Sequence, residues 1–173
     1  GRCEPEVQAL LVVHAAKGAE CKQEVDGEAV GNALYGLQRM SSVEPEVRAL
    51  LVVLAAKVAE CKQELNAQEV GNALYGLQSM SSVEPEVRAL LVVLAAKVED
   101  CMQYPYEQAV GNECVELRRM RSVEPEVQAL LVVLAAKSEN CTLDLSAHAC
   151  GQAFAWLSRS GVFLPNTAHS VAW

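Results

Sequence analysis

Side chains able to grip a charged or base-like ligand recur in this chain at a fixed interval. Arg48 and Arg88 stand forty positions apart, and Gln8 and Gln128 occupy the equivalent places before and after them. Lys22 and Lys62 share a second recurring position, continued by Met102 and Thr142. A third series reads Glu28, Gln68, Gln108 and His148, followed four residues on by Asn32, Asn72, Asn112 and Gln152. A fourth reads Arg39, Ser79, Arg119 and Arg159. Guanidinium groups pair with phosphates and stack on flat rings, and amides both donate to and accept from base edges. One such side chain per unit, stacked in register, is the geometry of repeat proteins that read one base per unit. The same positions also admit plainer roles. The asparagines suit a buried ladder between units, and the arginines suit a solvated face or a cation at a helix C-terminus.

Catalytic chemistry has no comparable pattern. His14, His148 and His169 share no ligand spacing, and Cys141, His148 and Cys150 lack a fourth ligand for zinc. Glu44 and Glu46 recur at every unit start, which fits helix first turns and not an acid–base couple. Phosphate loops and nucleophile elbows are absent. The expectation is a non-enzyme with no cofactor, no metal and no small-molecule substrate.

The interval itself comes from one unit of about forty residues written four times. Val43-Glu44-Pro45-Glu46-Val47 returns at Val83 and at Val123, and the first copy opens Cys3-Glu4-Pro5-Glu6-Val7. Periods of this size mark stacked arrays, because one unit cannot bury its own apolar face. In the second unit Ser41 and Ser42 precede Glu44-Pro45-Glu46, and a hydroxyl cap, early acids and a proline predict a helix start. Val47, Leu50, Leu51, Leu54, Val58 and Cys61 then fall on one helical face. Ala49, Val52, Val53 and Ala56 make a second apolar face, which predicts a helix sandwiched between layers. A second helix is predicted from Asn66-Ala67-Gln68-Glu69, a capping box in form, with Val70, Ala73, Leu74 and Leu77 as its buried stripe. Gly71 and Gly76 inside it predict tight helix contacts. The fold class expected is all-α, an α-solenoid of about four helix-turn-helix units. Residues 1–161 form one domain (units 3–42, 43–82, 83–122 and 123–161), and 162–173 form a tail or cap.

The chain has a formal charge of −8, a hydrophobic fraction of 51% and an aromatic fraction of 5%. An acidic balance disfavours a broad phosphate-binding surface but leaves room for a local basic strip. Its apolar stretches are too short to cross a bilayer, and no signal or transit peptide is visible. Seven cysteines, four at one repeat position, suit small buried side chains in an intracellular, reducing compartment.

The run Leu65-Asn66-Ala67-Gln68-Glu69-Val70-Gly71-Asn72-Ala73-Leu74-Tyr75-Gly76-Leu77 resembles the second helix of octotricopeptide repeats. Tyr35 and Tyr75 stand where that family usually has Trp, and Asn32, Asn72 and Asn112 stand at its Asn. The preceding Pro-Glu-Val-Arg-Ala-Leu-Leu helix also fits, and similar helical repeats occur in the FAST kinase-like family. The resemblance spans residues 3–161. It implies an α-solenoid that binds single-stranded RNA, in an organelle such as a chloroplast or mitochondrion, in support of RNA stability, processing or translation. The RNA contacts then expected are Arg48, Arg88, Lys22, Lys62, Arg39, Arg119, Arg159, Gln68, Gln108, Asn32, Asn72 and Asn112. The competing expectation is an acidic scaffold for a protein partner. On the RNA reading, Arg48→Glu with Arg88→Glu removes RNA binding without unfolding the protein. Unchanged affinity would take the first-helix strip out of consideration.

Overall fold

The computed structural model describes residues 4–101, 120 and 123–139, and every regular element among them is a helix. In chain order these are α1 (Pro5–Glu20), α2 (Gly27–Tyr35), α3 (Pro45–Glu60), α4 (Ala67–Gly76), α5 (Pro85–Asp100) and α6 (Pro125–Glu139). The first two units each show both expected helices. The second helices expected of the third and fourth units, and the 162–173 tail, lie outside the described residues.

Each first helix starts at a Glu-Pro step. Glu44 is extended (φ −76°, ψ 125°) and Pro45 takes the first helical position. There its fixed φ suits the helix and its missing N–H removes one unsatisfied donor. Glu46 then faces the positive end of the helix dipole. The hydroxyl cap expected of Ser41 and Ser42 does not form, since no side chain caps Glu44. Ser42 is buried, and its Oγ instead accepts the backbone N–H of Ser81, one unit on, at 2.9 Å. A buried hydroxyl needs a partner, and the neighbouring unit supplies it.

The second helices start as their sequence predicts. Asn66 accepts from Glu69 N at 3.0 Å while the Glu69 carboxylate accepts from Asn66 N at 2.8 Å, a complete capping box. In the first unit Asp26 caps Ala29 N at 2.8 Å.

First helices pack in succession, α1 on α3, α3 on α5 and α5 on α6, while α2 packs on α4. A single apolar cluster runs from Leu11 to Leu134. Val47, Leu51, Val58 and Cys61 are buried in it, Leu50 and Leu54 pack against its edge, and Val70, Ala73, Leu74 and Leu77 close it from α4. Each fully buried Val or Leu contributes about 1.5–3 kcal/mol. The second apolar face of α3 behaves differently: Ala49, Val52 and Ala56 are exposed, and only Val53 is half-buried. First helices use their two flanks to contact each other, so this third side is left outward and the expected sandwich is not formed there.

Polar contacts tie one unit to the next. The helices α1, α3 and α5 end on extended cysteines, Cys21, Cys61 and Cys101, which turn their carbonyls out of the helix. Lys57 donates to Cys21 O, Lys97 to Cys61 O, and Lys137 to Cys101 O at 2.8 Å. Cys61 and Cys101 are buried and Cys21 is exposed.

Gly76 marks the closest approach of the second helices. A Cβ there would lie 1.9 Å from the carbonyl oxygen of Leu34 on α2, which is backbone and cannot swing aside. Gly36, its counterpart one unit earlier, meets only carbonyls of its own turn. Gly76→Ala is therefore predicted to destabilise the protein by about 1–3 kcal/mol, the usual range for overpacking. Gly36→Ala should change stability little. Urea denaturation of the two variants checks the contrast.

Candidate binding surfaces

The first-helix strip expected to face a ligand is turned mostly toward the protein itself. Arg48 Nη1 donates to Ser42 O at 3.0 Å and to Val43 O at 2.9 Å, and Arg88 repeats this on Ser82 O and Val83 O, each at 2.9 Å. Both guanidinium groups also reach acids of the following unit. Arg48 lies 3.8 Å from Glu84 and 3.8 Å from Glu86, and Arg88 lies 3.6 Å from Glu126. Gln8 takes the same direction, donating to Glu44 at 3.5 Å. These side chains are about one-quarter exposed, and the Oε2 atoms of Glu86 and Glu126 are buried without a hydrogen bond. On the same helix Ala55 is buried in the core, whereas Ala59 is exposed, as is Lys62 just beyond its end.

Lys62 pairs with Glu24 of the preceding unit and Lys22 is exposed. The hydrogen bond from Lys62 to Glu24, and then the charge of that carboxylate, hold the ammonium above the ordinary lysine value. The sign follows directly: a raised lysine favours the folded state while protonated, and that contribution disappears as pH rises through the raised value. Both side chains are largely exposed, so solvent screens the pair and its contribution to stability is small.

In the first unit Glu28, Asn32 and Tyr35 follow one another at helical spacing on α2, and Arg39 lies in the turn after it, all exposed. In the second unit Gln68 is exposed, whereas Asn72, Tyr75 and Ser79 are half-buried. A buried asparagine ladder is therefore not what these two units build. The Tyr35 and Tyr75 rings stack across the unit boundary, with centroids 5.4 Å apart and planes 20° from parallel. Ser79 donates to Gln38 O at 3.0 Å, so it serves the contact between units. Gln108, Asn112, Arg119 and Arg159 lie outside the described residues, as do Cys141, His148 and Cys150.

The surface that sequence reasoning misassigned is the outward side of the first helices. Ala49, Val52 and Ala56 are exposed on α3, and the matching Ala–Val–Ala sets are exposed on α1, α5 and α6. Val52 is 56% and Val92 53% exposed. Val43, Val83 and Val123, at the turns that lead into the helices, are exposed as well. At the opposite end every first helix closes on an acid: Glu20, Glu60, Asp100 or Glu139. The helix dipole favours cations at that end, and the last-turn lysines Lys17 and Lys57 pair with Glu20 and Glu60 of their own helices at 3.4 and 3.3 Å, while Lys57 and Lys97 also reach the preceding cysteine carbonyl. Exposed Glu24, Glu64 and Glu99 add to this edge. The result is an apolar stripe bordered on one side by charged side chains of both signs, with Glu20, Glu60 and Glu24 paired to Lys17, Lys57 and Lys62. A repeated acid against the dipole was the available signal for it.

No known protein family, no curated protein and no solved structure matches this chain. No helix among the described residues is long and apolar enough to cross a membrane.

The arginine contacts change the expected outcome of Arg48→Glu with Arg88→Glu. Each change removes two bonds to backbone carbonyls and sets a new acid against a half-buried one. Leaving such groups unpaired costs about 1–3 kcal/mol per site. The double variant is predicted to unfold at clearly lower denaturant than the parent, in a chemical denaturation followed by circular dichroism.

Proposed function

We propose that this chain is a non-catalytic helical-repeat module, an α-solenoid, that binds a protein segment along the outward side of its first helices. The observation that carries this reading is the uncovered Ala–Val–Ala stripe, repeated on α1, α3, α5 and α6 beside acidic helix ends. Contiguous exposed apolar surface with a polar rim is characteristic of interaction sites. Helices packed at the usual spacing of about 9 Å give four of them a stripe on the order of 27 Å long. That length matches an amphipathic helix of roughly 18 residues at 1.5 Å per residue. Its apolar face would lie on the valines, and its lysines or arginines would face the exposed Glu64, Glu99 and Asp100.

Single-stranded RNA is the second reading. It is favoured by the resemblance to octotricopeptide repeats and by exposed Tyr35, stacked on Tyr75, with exposed Asn32 one turn earlier on α2 and exposed Arg39 in the turn after it. Aromatic platforms of this kind stack bases whatever their sequence.

Fluorescence anisotropy with two labelled probes separates the readings: a Leu/Lys amphipathic helical peptide, and random single-stranded RNA. We expect saturable peptide binding that is lost in the variant Val52→Asp with Val92→Asp, whose folding should be intact because both positions are exposed. The direction is informative. Two added carboxylates would strengthen a purely electrostatic association, so loss of binding identifies apolar docking. Saturable RNA binding that weakens with salt and drops on Tyr35→Ala, with the peptide inert, would replace the protein reading by the RNA one.

A further inference from the structure

Asp26-Gly27 is the one Asp-Gly pair in the chain, and that pair carries chemistry of its own. The main-chain nitrogen of the residue after an aspartate can attack the side-chain carboxyl carbon. Water leaves, and a five-membered succinimide ring forms. Water then reopens the ring at either carbonyl, so the backbone runs again through the original carboxyl or through the side-chain one, as isoaspartate. The step needs no oxidant and no partner, and the final mass is unchanged. Glycine favours it because no Cβ obstructs the attacking nitrogen. The equivalent pair in the second unit is Asn66-Ala67, where a methyl group stands in the way. Glycine fits position 27 because the Glu69 carboxylate of the next unit lies over it: a Cβ there would fall 2.5 Å from Glu69 Oε2.

Two hydrogen bonds hold the reacting groups apart in the folded chain. Asp26 Oδ1 accepts the N–H of Ala29 at 2.8 Å as the cap of α2. Gly27 is buried, and its N–H donates to Gln63 Oε1 of the second unit at 3.3 Å. Ring closure must bring the Asp26 side chain and Gly27 N to one side of the Asp26 Cα–C bond, and the extended Asp26 backbone (ψ 172°) keeps them apart. Asp26 is exposed to water, as is Asn66 at the same place with a unit packed before it. We infer that Asp26-Gly27 is a site of spontaneous backbone isomerisation, gated by the contact between α2 and α4. While the units are packed, the carboxyl caps and the amide is bonded. When α2 lifts off α4 both are released, and helices open locally at free energies below that of global unfolding. The isoaspartate product adds a methylene to the main chain at the cap and takes the capping carboxylate out of its place. Each opening that reacts therefore leaves α2 uncapped and its contact with α4 looser, a covalent record that outlasts the opening itself. The inference does not depend on what binds the outward stripe.

The test is prolonged incubation of the full chain at neutral pH and physiological temperature. Isoaspartate at position 26 is quantified by peptide mapping with electron-transfer fragmentation, which distinguishes the two backbones. Three samples bracket the folded parent: the same chain unfolded in guanidinium chloride, Gln63→Ala, and Gly76→Ala, which strains the other end of the α2–α4 contact. The unfolded chain is expected to isomerise fastest and the folded parent many-fold more slowly. Gln63→Ala should react several-fold faster than the parent while keeping its circular dichroism, because Gln63 is exposed and its loss frees only the Gly27 amide. Gly76→Ala should shift the rate in the same direction. Equal rates in the folded and unfolded parent would overturn the gate, and an unfolded chain without isoaspartate at 26 would overturn the site. If neither variant, while folded, reacts faster than the parent, the contact does not control the reaction and the inference fails.

Discussion

The contact between successive first helices is the constraint on which the rest of this structure depends. A sixteen-residue helix in water is only marginally stable by itself, and α3 has no means of burying Val47, Leu51 and Val58 except against its neighbours. Stacking supplies that burial twice, once on each flank. The polar groups follow the same logic. Cys21 and Cys61 leave the helix extended and turn out a carbonyl, and the lysine of the next unit satisfies it. Ser42 gives up the capping role expected of it and receives a backbone N–H from the next unit. Arg48 and Arg88 brace their own entry turns and reach acids one unit ahead.

What is left after stacking is the surface available for binding. Both flanks of α3 and α5 are consumed by neighbouring first helices, and their inner side faces the core with the second helices. The outward side therefore repeats the same small apolar residues in every unit, and its chemistry is uniform along the row. A uniform stripe suits a partner that is itself regular, such as a helix laid across it. The second helices offer a more varied strip, because Arg39 and Glu28 change to Ser79 and Gln68 in the next unit. Variation between units is what a reader of different bases would need, and it lies beside the stacked tyrosines.

The helices were legible from the sequence because their signals are local. The Glu-Pro starts, the Asn66–Glu69 box and the stripe from Val47 to Cys61 each rest on residues a few positions apart. The roles of polar side chains were less legible, because their partners lie about one unit away. Nothing within Arg48's own helix indicates that Glu84 and Glu86 will meet it, so its charge read as a contact for an outside ligand. The Ala49–Val52–Ala56 face misled for a related reason. Apolar composition predicts burial, but only the arrangement of neighbouring helices decides which of two apolar faces is covered. Gly76 shows the middle case: a glycine inside a helix implied a close approach, and the carbonyl of Leu34 identifies what approaches.

Amide hydrogen exchange under native conditions tests the nearest-neighbour basis of this fold most directly. If stability comes from stacking on both flanks, α3 and α5 hold the slowest amides and α1, with a neighbour on one flank only, opens at measurably lower free energy. Exchange of α1 together with α3 and α5 in a single step would contradict this, because the helices would then form one cooperative block and not a stack of units that stabilise one another.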